Sequence, residues 1–158
     1  MDTAESAAVP LTRATVVRVV DGDTAVFKLK NGRTEKTRFI GIDTPESTNS
    51  IEEYGQEATA FTKQSLPKGR TVYLELGVDK RDRYDRLLAY VWLSPPRDDS
   101  KSEVRQKMFN AELALAGYAQ QMTVPPNSKY ASYFREFVAE ARDDNRGLWA
   151  IDPAAKDR

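Results

Sequence analysis

Apolar and β-branched residues concentrate in short runs over Thr15–Val20, Thr24–Lys30 and Thr34–Ile42, each bounded by turn residues. Asp21-Gly22 separates the first pair and Asn31-Gly32 the second, so the pattern predicts a β-meander with a tight second hairpin. Val72, Leu74 and Leu76 alternate with Tyr73 and Glu75, which predicts a fourth strand with one buried face; Leu87–Leu93 reads as a fifth. The second strand is less clean. Val26 is flanked by Ala25 and Phe27, and Leu29 by Lys28 and Lys30, so its two faces separate only partly.

Helical periodicity takes over elsewhere. Tyr54–Leu66 carries Ala58, Phe61 and Ser65 or Leu66 along one side and is closed by Pro67-Lys68-Gly69. Asn110 is placed to cap a helix reaching Ala116, ended by Gly117. After Val124-Pro125-Pro126, Asn127 or Ser128 is expected to cap a third helix, whose core stripe is Tyr130, Phe134, Phe137, Val138 and Ala141. Gly147 stops it, and Leu148 and Trp149 fold back on the domain. Ser47–Glu53 reads as an exposed polar loop and Ser94–Ser102 as a flexible excursion without core residues. Together these elements predict an α+β domain, a five-stranded OB-type Greek-key β-barrel with three α-helices. Periodicity supplies the strands but not the closure, and an open α+β sheet satisfies it equally. The folded domain is expected over 14–150, between a flexible tail at 1–13 and a flexible end at 151–158.

A chain of 158 residues with 40% hydrophobic and 30% charged positions suits one folded domain. No apolar run approaches the ~20 residues that a membrane helix requires, and Met1–Ala14 lacks the apolar segment of a signal peptide. Lysine plus arginine equals aspartate plus glutamate at 24 each, so any attraction for phosphate must be local. There is no cysteine and no histidine, which removes disulfides, zinc sites of the usual kind, thiol nucleophiles and histidine-based acid–base chemistry. An enzyme built from this composition must rely on carboxylates, arginines and a metal ion.

Candidate chemistry concentrates in two acidic turns. Arg38-Phe39-Ile40-Gly41-Ile42-Asp43-Thr44-Pro45-Glu46 ends a strand with two carboxylates around a stiff Thr-Pro step. Strand alternation puts Arg38 on the same, apolar side as Ile40 and Ile42, where a guanidinium needs an anion. Thr44-Pro45-Glu46 is also a good helix start, with threonine as cap and an acid favoured by the dipole. The second turn, Asp21-Gly22-Asp23-Thr24, lets Asp23 meet Asp43 across a hairpin, and two aspartates suit calcium or magnesium. Downstream, Val78–Arg86 is crowded with charge, a composition usual for a solvated turn. Arg86 nevertheless begins the fifth strand, and an arginine on a rigid element can be aimed.

Four segments in order, Val19-Val20-Asp21-Gly22-Asp23-Thr24, Arg38 to Glu46, Tyr54-Gly55-Gln56-Glu57-Ala58 and Arg83-Tyr84-Asp85-Arg86-Leu87-Leu88-Ala89-Tyr90, resemble the thermonuclease, or staphylococcal nuclease, family. The likeness runs over about Ala14 to Ala150. It implies a staphylococcal-nuclease-like OB domain and calcium-dependent hydrolysis of phosphodiester bonds in single- and double-stranded DNA and in RNA, leaving 3′-phosphate products. By this resemblance Asp23 and Asp43 are Ca2+ ligands and Thr44 offers its backbone carbonyl. Glu46 orients or deprotonates the attacking water, and Arg38 and Arg86 hold the reacting phosphate. Arg83 and Tyr84 lie where the family contacts a terminal phosphate or nearby backbone. A monomer, secreted or at the cell surface, is likewise implied.

The sequence also departs from the family pattern. The loop after Glu46 carries Glu52 and Glu53 in place of lysines, and Asp85 replaces a small residue between Tyr84 and Arg86, where it can pair with Arg83 or Arg81. The aromatic pair expected before the last helix is missing from Gln121-Met122-Thr123-Val124-Pro125-Pro126. Asp21 reads as a turn-former, Arg83 as either a solvated arginine or a ligand contact, and Tyr84 as a residue able to pack on its hairpin. Two other functions fit the same fold: a noncatalytic module that binds nucleic acid or protein, and a structural calcium-binding domain.

Overall fold

The computed structural model describes residues 9–45 and 55–151. The first three strands are β1 (Thr12–Asp21), β2 (Thr24–Leu29) and β3 (Thr34–Phe39). They pair antiparallel as a meander, and the Asn31-Gly32 turn closes the second hairpin with Gly32 N–H donating to Leu29 O at 2.9 Å. A short β4 (Ile42–Asp43) follows, then α1 (Gly55–Ser65), β5 (Thr71–Arg81) and β6 (Leu87–Trp92). β6 runs parallel to β3 and antiparallel to β5, and β5 pairs with β1, so the order β1-β2-β3-β6-β5 closes a barrel. Closure removes the sheet edges that an open arrangement would expose. The barrel is of the OB type.

The chain continues with α2 (Lys101–Lys107), α3 (Phe109–Leu115), β7 (Gln120–Gln121), α4 (Ala131–Asp143) and the single turn α5 (Leu148–Ile151). Five helical segments thus stand, among the described residues, where three helices were expected. The additional α2 lies partly in the stretch read as a flexible excursion. Ser100 caps it by accepting Glu103 N–H, and Val104 is fully buried. Asn110 is not a helix cap. It lies in the first turn of α3 with its amide wholly buried, accepting from Val91 N–H and donating to Ile40 O, both at 2.8 Å. Asn127 does not cap α4 either; it exchanges two 2.9 Å hydrogen bonds with the Asp79 backbone, and the helix starts after Tyr130. In both cases an amide that could cap a helix instead bonds backbone groups of a distant segment, wholly buried at Asn110 and part-buried at Asn127.

The predicted stripe of α4 is core: Tyr130, Phe134, Phe137, Val138 and Ala141 are all at most 7% exposed. The outer face of β5 departs from the one-sided strand predicted there. Glu75 is 4% exposed and accepts from Trp92 Nε1 (3.0 Å), Tyr130 hydroxyl (2.8 Å) and Lys129 Nζ (2.9 Å). A buried carboxylate needs such partners, and three are supplied.

Glu103, 1% exposed, is another buried acid. The Lys107 ammonium and the Arg97 backbone N–H, each at 2.8 Å, hold its pKa down to about 2 against an ordinary 4.5. Because the folded value is depressed, its contribution to stability is complete above the unfolded value and fades as pH falls toward the folded one. Glu103→Gln is therefore expected to be less stable than the parent at pH 7, with the gap narrowing between pH 4.5 and about 2 in urea unfolding. A gap that stays constant over that window would contradict this origin.

Candidate functional site

The β1–β2 turn is fixed from two sides. Asp21 Oδ1 accepts from Gly22 N–H (3.2 Å) and from the Thr59 hydroxyl of α1 (3.1 Å), while the Thr62 hydroxyl donates to Gly22 O at 2.7 Å. Asp21 acts as a turn-former, as expected. A side chain at Gly22 would meet Thr44, its Cβ only 2.6 Å from Thr44 Oγ1, so glycine is what lets the two acidic turns approach. Asp23, 7% exposed, accepts from Thr24 hydroxyl (2.9 Å) and from Thr44 N–H (3.1 Å). The meeting of Asp23 with the Asp43-Thr44 turn is thus a direct contact.

The opposite turn is made by breaking a strand. A continuous strand was expected to reach Ile42, but β3 ends at Phe39 because Gly41 adopts φ +87° with Phe134 packed against its α-carbon. Ile40 N–H then bonds Ala89 O (3.0 Å), Gly41 O accepts from Met122 N–H (3.0 Å), and β4 pairs with β7. The kink also overturns the predicted facing of Arg38. Glu35, Thr37 and Phe39 are the buried positions of β3, and Arg38 lies on the outer face opposite them rather than in one apolar row with Ile40 and Ile42. Its guanidinium still finds anions. Nη1 donates to Phe39 O (2.7 Å) and Ile42 O (2.8 Å), while Nη2 lies 3.3 Å from Asp23 Oδ2 and 3.2 Å from Asp43 Oδ1. One nitrogen therefore joins both acidic turns.

Beyond Arg38 lies a cleft of about 430 Å³, lined also by Arg83, Tyr84, Arg86, Leu88 and Met122. Arg86 is held from behind. Its Nε donates to Asp82 Oδ2 at 2.8 Å, and Asp82 Oδ1 accepts the backbone N–H groups of Tyr84 (3.0 Å) and Arg86 (2.9 Å). Burial pushes the Asp82 carboxyl up, but the hydrogen bonds from Arg86 and Tyr84 and the arginine's charge prevail and hold it below its ordinary range. Tyr84, 64% exposed, packs against its own turn: the Arg83 and Arg86 guanidiniums lie 4.9 and 5.4 Å from the centre of its ring. Arg83 Nη2 also donates to the Tyr84 hydroxyl at 2.7 Å. Asp85, at φ +64°, pairs with Arg81 (3.8 Å), which is itself held in a bidentate contact by Glu35.

Asp82 was missed in the sequence because the charge run looked solvated. The available signal was its place four residues before Arg86, a distance that a tight turn closes. Asn110 and Asn127, read as caps, hold Ile40 and Asp79, which both line the cleft. Glu46 lies outside the described residues, as does the loop Ser47–Glu53.

The donor set fits a hard divalent cation. Thr44 Oγ1 is buried without a hydrogen-bond partner beside the Asp23 carboxylate, and Asp23 and Asp43 both reach one guanidinium nitrogen, as they would a shared cation. Among the described residues no group of three or more acidic, histidine or cysteine side chains gathers at one point, so two carboxylates and the Thr44 backbone are what the described site offers.

The family model described as "Staphylococcal nuclease homologue" matches residues 36–151. A thermonuclease of Staphylococcus intermedius is 38% identical over 137 residues, covering 85% of this chain and 74% of that protein. A thermonuclease of Staphylococcus hyicus is 36% identical over 138 residues, with the same coverage. Endonuclease YncB of Bacillus subtilis is 34% identical over 146 residues, which span 89% of this chain and 63% of its own length. With the family pattern running from within β3 to the last described turn, and two thermonucleases matching across most of both lengths, this chain belongs to the staphylococcal nuclease family.

Proposed function

We propose that this chain is a calcium-dependent, sugar-nonspecific nuclease that hydrolyses phosphodiester bonds of single- and double-stranded DNA and of RNA, leaving 3′-phosphate ends. The observation that carries the reading is the junction of Asp23, Asp43 and Arg38 opening on a cleft that Arg86 also lines. Asp23, Asp43 and the Thr44 carbonyl would hold Ca2+, which when bound would supply positive charge toward the phosphate. Arg38 and Arg86 stabilise the extra negative charge that develops when water attacks phosphorus, each with a planar donor fork that stays protonated at any working pH. Glu46 receives or positions the proton of the attacking water. Arg83 and Tyr84, exposed at the rim, contact the flanking phosphate or backbone. The protein is proposed to act as a monomer, secreted or at the cell surface, and no described helix is long and apolar enough to cross a membrane.

Single-stranded DNA should be cleaved with calcium and left intact with chelator; calcium-independent cleavage, or none, would reject the reading. Calorimetric titration of calcium should tighten when a nucleoside bisphosphate is present and weaken in Asp23→Asn, because cation and phosphate share one site. Arg38→Lys and Glu46→Gln should each lower turnover by about 10²- to 10³-fold with the fold intact by circular dichroism.

Asp82 is expected to work through Arg86. Asp82→Asn should lower kcat in the parent but have little further effect when Arg86 is already alanine, a non-additivity that a purely structural loss would not produce. Additive losses across that cycle would remove Asp82 from the clamp.

A further inference from the structure

We infer that the outer face of β1, β2 and β3 carries a second contact surface, a cationic track that receives the sugar–phosphate backbone of a single strand several nucleotides away from the bond being cleaved. The inference extends the nuclease reading to polymer binding. Paired residues share a face of a sheet, and the register aligns Arg18 with Val26 and Val26 with Lys36, while Lys28 lies opposite Thr34. Lys36 and Arg38 are two apart on β3, so one face of one strand carries Lys36 and then the cleft arginine, about 6.7 Å apart at strand rise. Arg18, Lys28 and Lys36 are exposed, and among the described residues no carboxylate pairs with them. Val26, 9% exposed, forms the floor between Arg18 and Lys36.

Among the described residues, the acids nearest this row are already engaged elsewhere. Glu35 occupies the opposite face of β3 and is bound by Arg81. Asp21 and Asp23 lie at the strand ends, turned into the hydrogen bonds of the acidic turns. In a chain with equal numbers of acidic and basic residues, an unneutralised row leading from the cleft is a local field of one sign. Two strand spacings separate β1 from β3, about 10 Å, a width that suits one backbone rather than a duplex. Lysine and arginine on phosphates position a strand without reading its sequence, so the track would lower KM for polymers irrespective of base.

The test uses the full chain and a fluorescent 20-residue oligothymidylate in chelator, where cleavage does not interfere. Affinity is measured against sodium chloride from 20 to 200 mM, and turnover separately in calcium on a dinucleotide and on the long strand. Each of Arg18→Gln, Lys28→Gln and Lys36→Gln should flatten the log–log salt slope by about 0.7, and the triple variant by about 2. Turnover of the dinucleotide should be unchanged, while KM for the long strand rises several-fold. A triple variant with the parent's slope and affinity overturns the track, and so does an equal loss on the dinucleotide, or equally tight, equally salt-dependent binding of polyglutamate. The nuclease reading fails separately, if the parent binds the strand but does not cleave it with calcium.

Discussion

The contact on which the molecule turns is the seat of the Arg38 guanidinium. Two backbone carbonyls, Phe39 O and Ile42 O, fix one edge, and Asp23 and Asp43 meet the other. The carbonyls converge only because Gly41 bends the chain between them, and the bend is held by Met122 and Phe134 from elements far away in sequence. A side chain that is 14% exposed is thus oriented by backbone, which costs less mobility than orientation by other long side chains. Removing the arginine would leave two acids together with their repulsion unrelieved. The same group that stabilises the folded state is thus the one proposed to meet the reacting phosphate.

Buried polar side chains perform the corresponding task for the loops. Asn110 satisfies one backbone group from each of the β3–β4 link and β6, and Asn127 clamps Asp79 near the end of β5. Glu75 joins the barrel wall to the start of α4 through Trp92, Lys129 and Tyr130. The Asn110 and Glu75 contacts lie in the interior, where an unmade bond costs about 1–3 kcal/mol, while the Asn127 clamp is part-buried. Such contacts favour one loop geometry over its neighbours, and a site for a small anion needs that selectivity.

The strands, the Asn31-Gly32 hairpin and the α4 stripe were legible because each is written in local periodicity. Barrel closure was not, since it depends on β3 meeting β6 in parallel across a long connection. The asparagines were misread because capping is the local use of an amide, and the sequence does not show that a distant strand has a buried carbonyl to satisfy. Asp23, Asp43, Arg38 and Arg86 could be picked out as types in acidic turns and at a strand start. The outward facing of Arg38 could not, because alternation fails at Gly41. Asp82 was hidden among charges that resemble a solvated run.

The ion pairs at the cleft show how the acidic departure Asp85 is accommodated beside Arg86. Asp85 sits in the left-handed region, which aspartate enters more readily than most residues, and its side chain turns to Arg81, already shared with Glu35. Arg86 has a different partner, Asp82, so the two anions of the turn do not compete for one guanidinium. Arg38 is likewise opposed by two acids. Around the reacting position, then, cations and anions nearly cancel, and Asp23 with Asp43 outweighs Arg38 by one charge. A divalent ion at those carboxylates, as proposed, would reverse that sign. In the proposed mechanism, capture of phosphate in the cleft would therefore be governed by the ion, while the proposed cationic face of β1 to β3 would hold its charge whether or not the ion is bound.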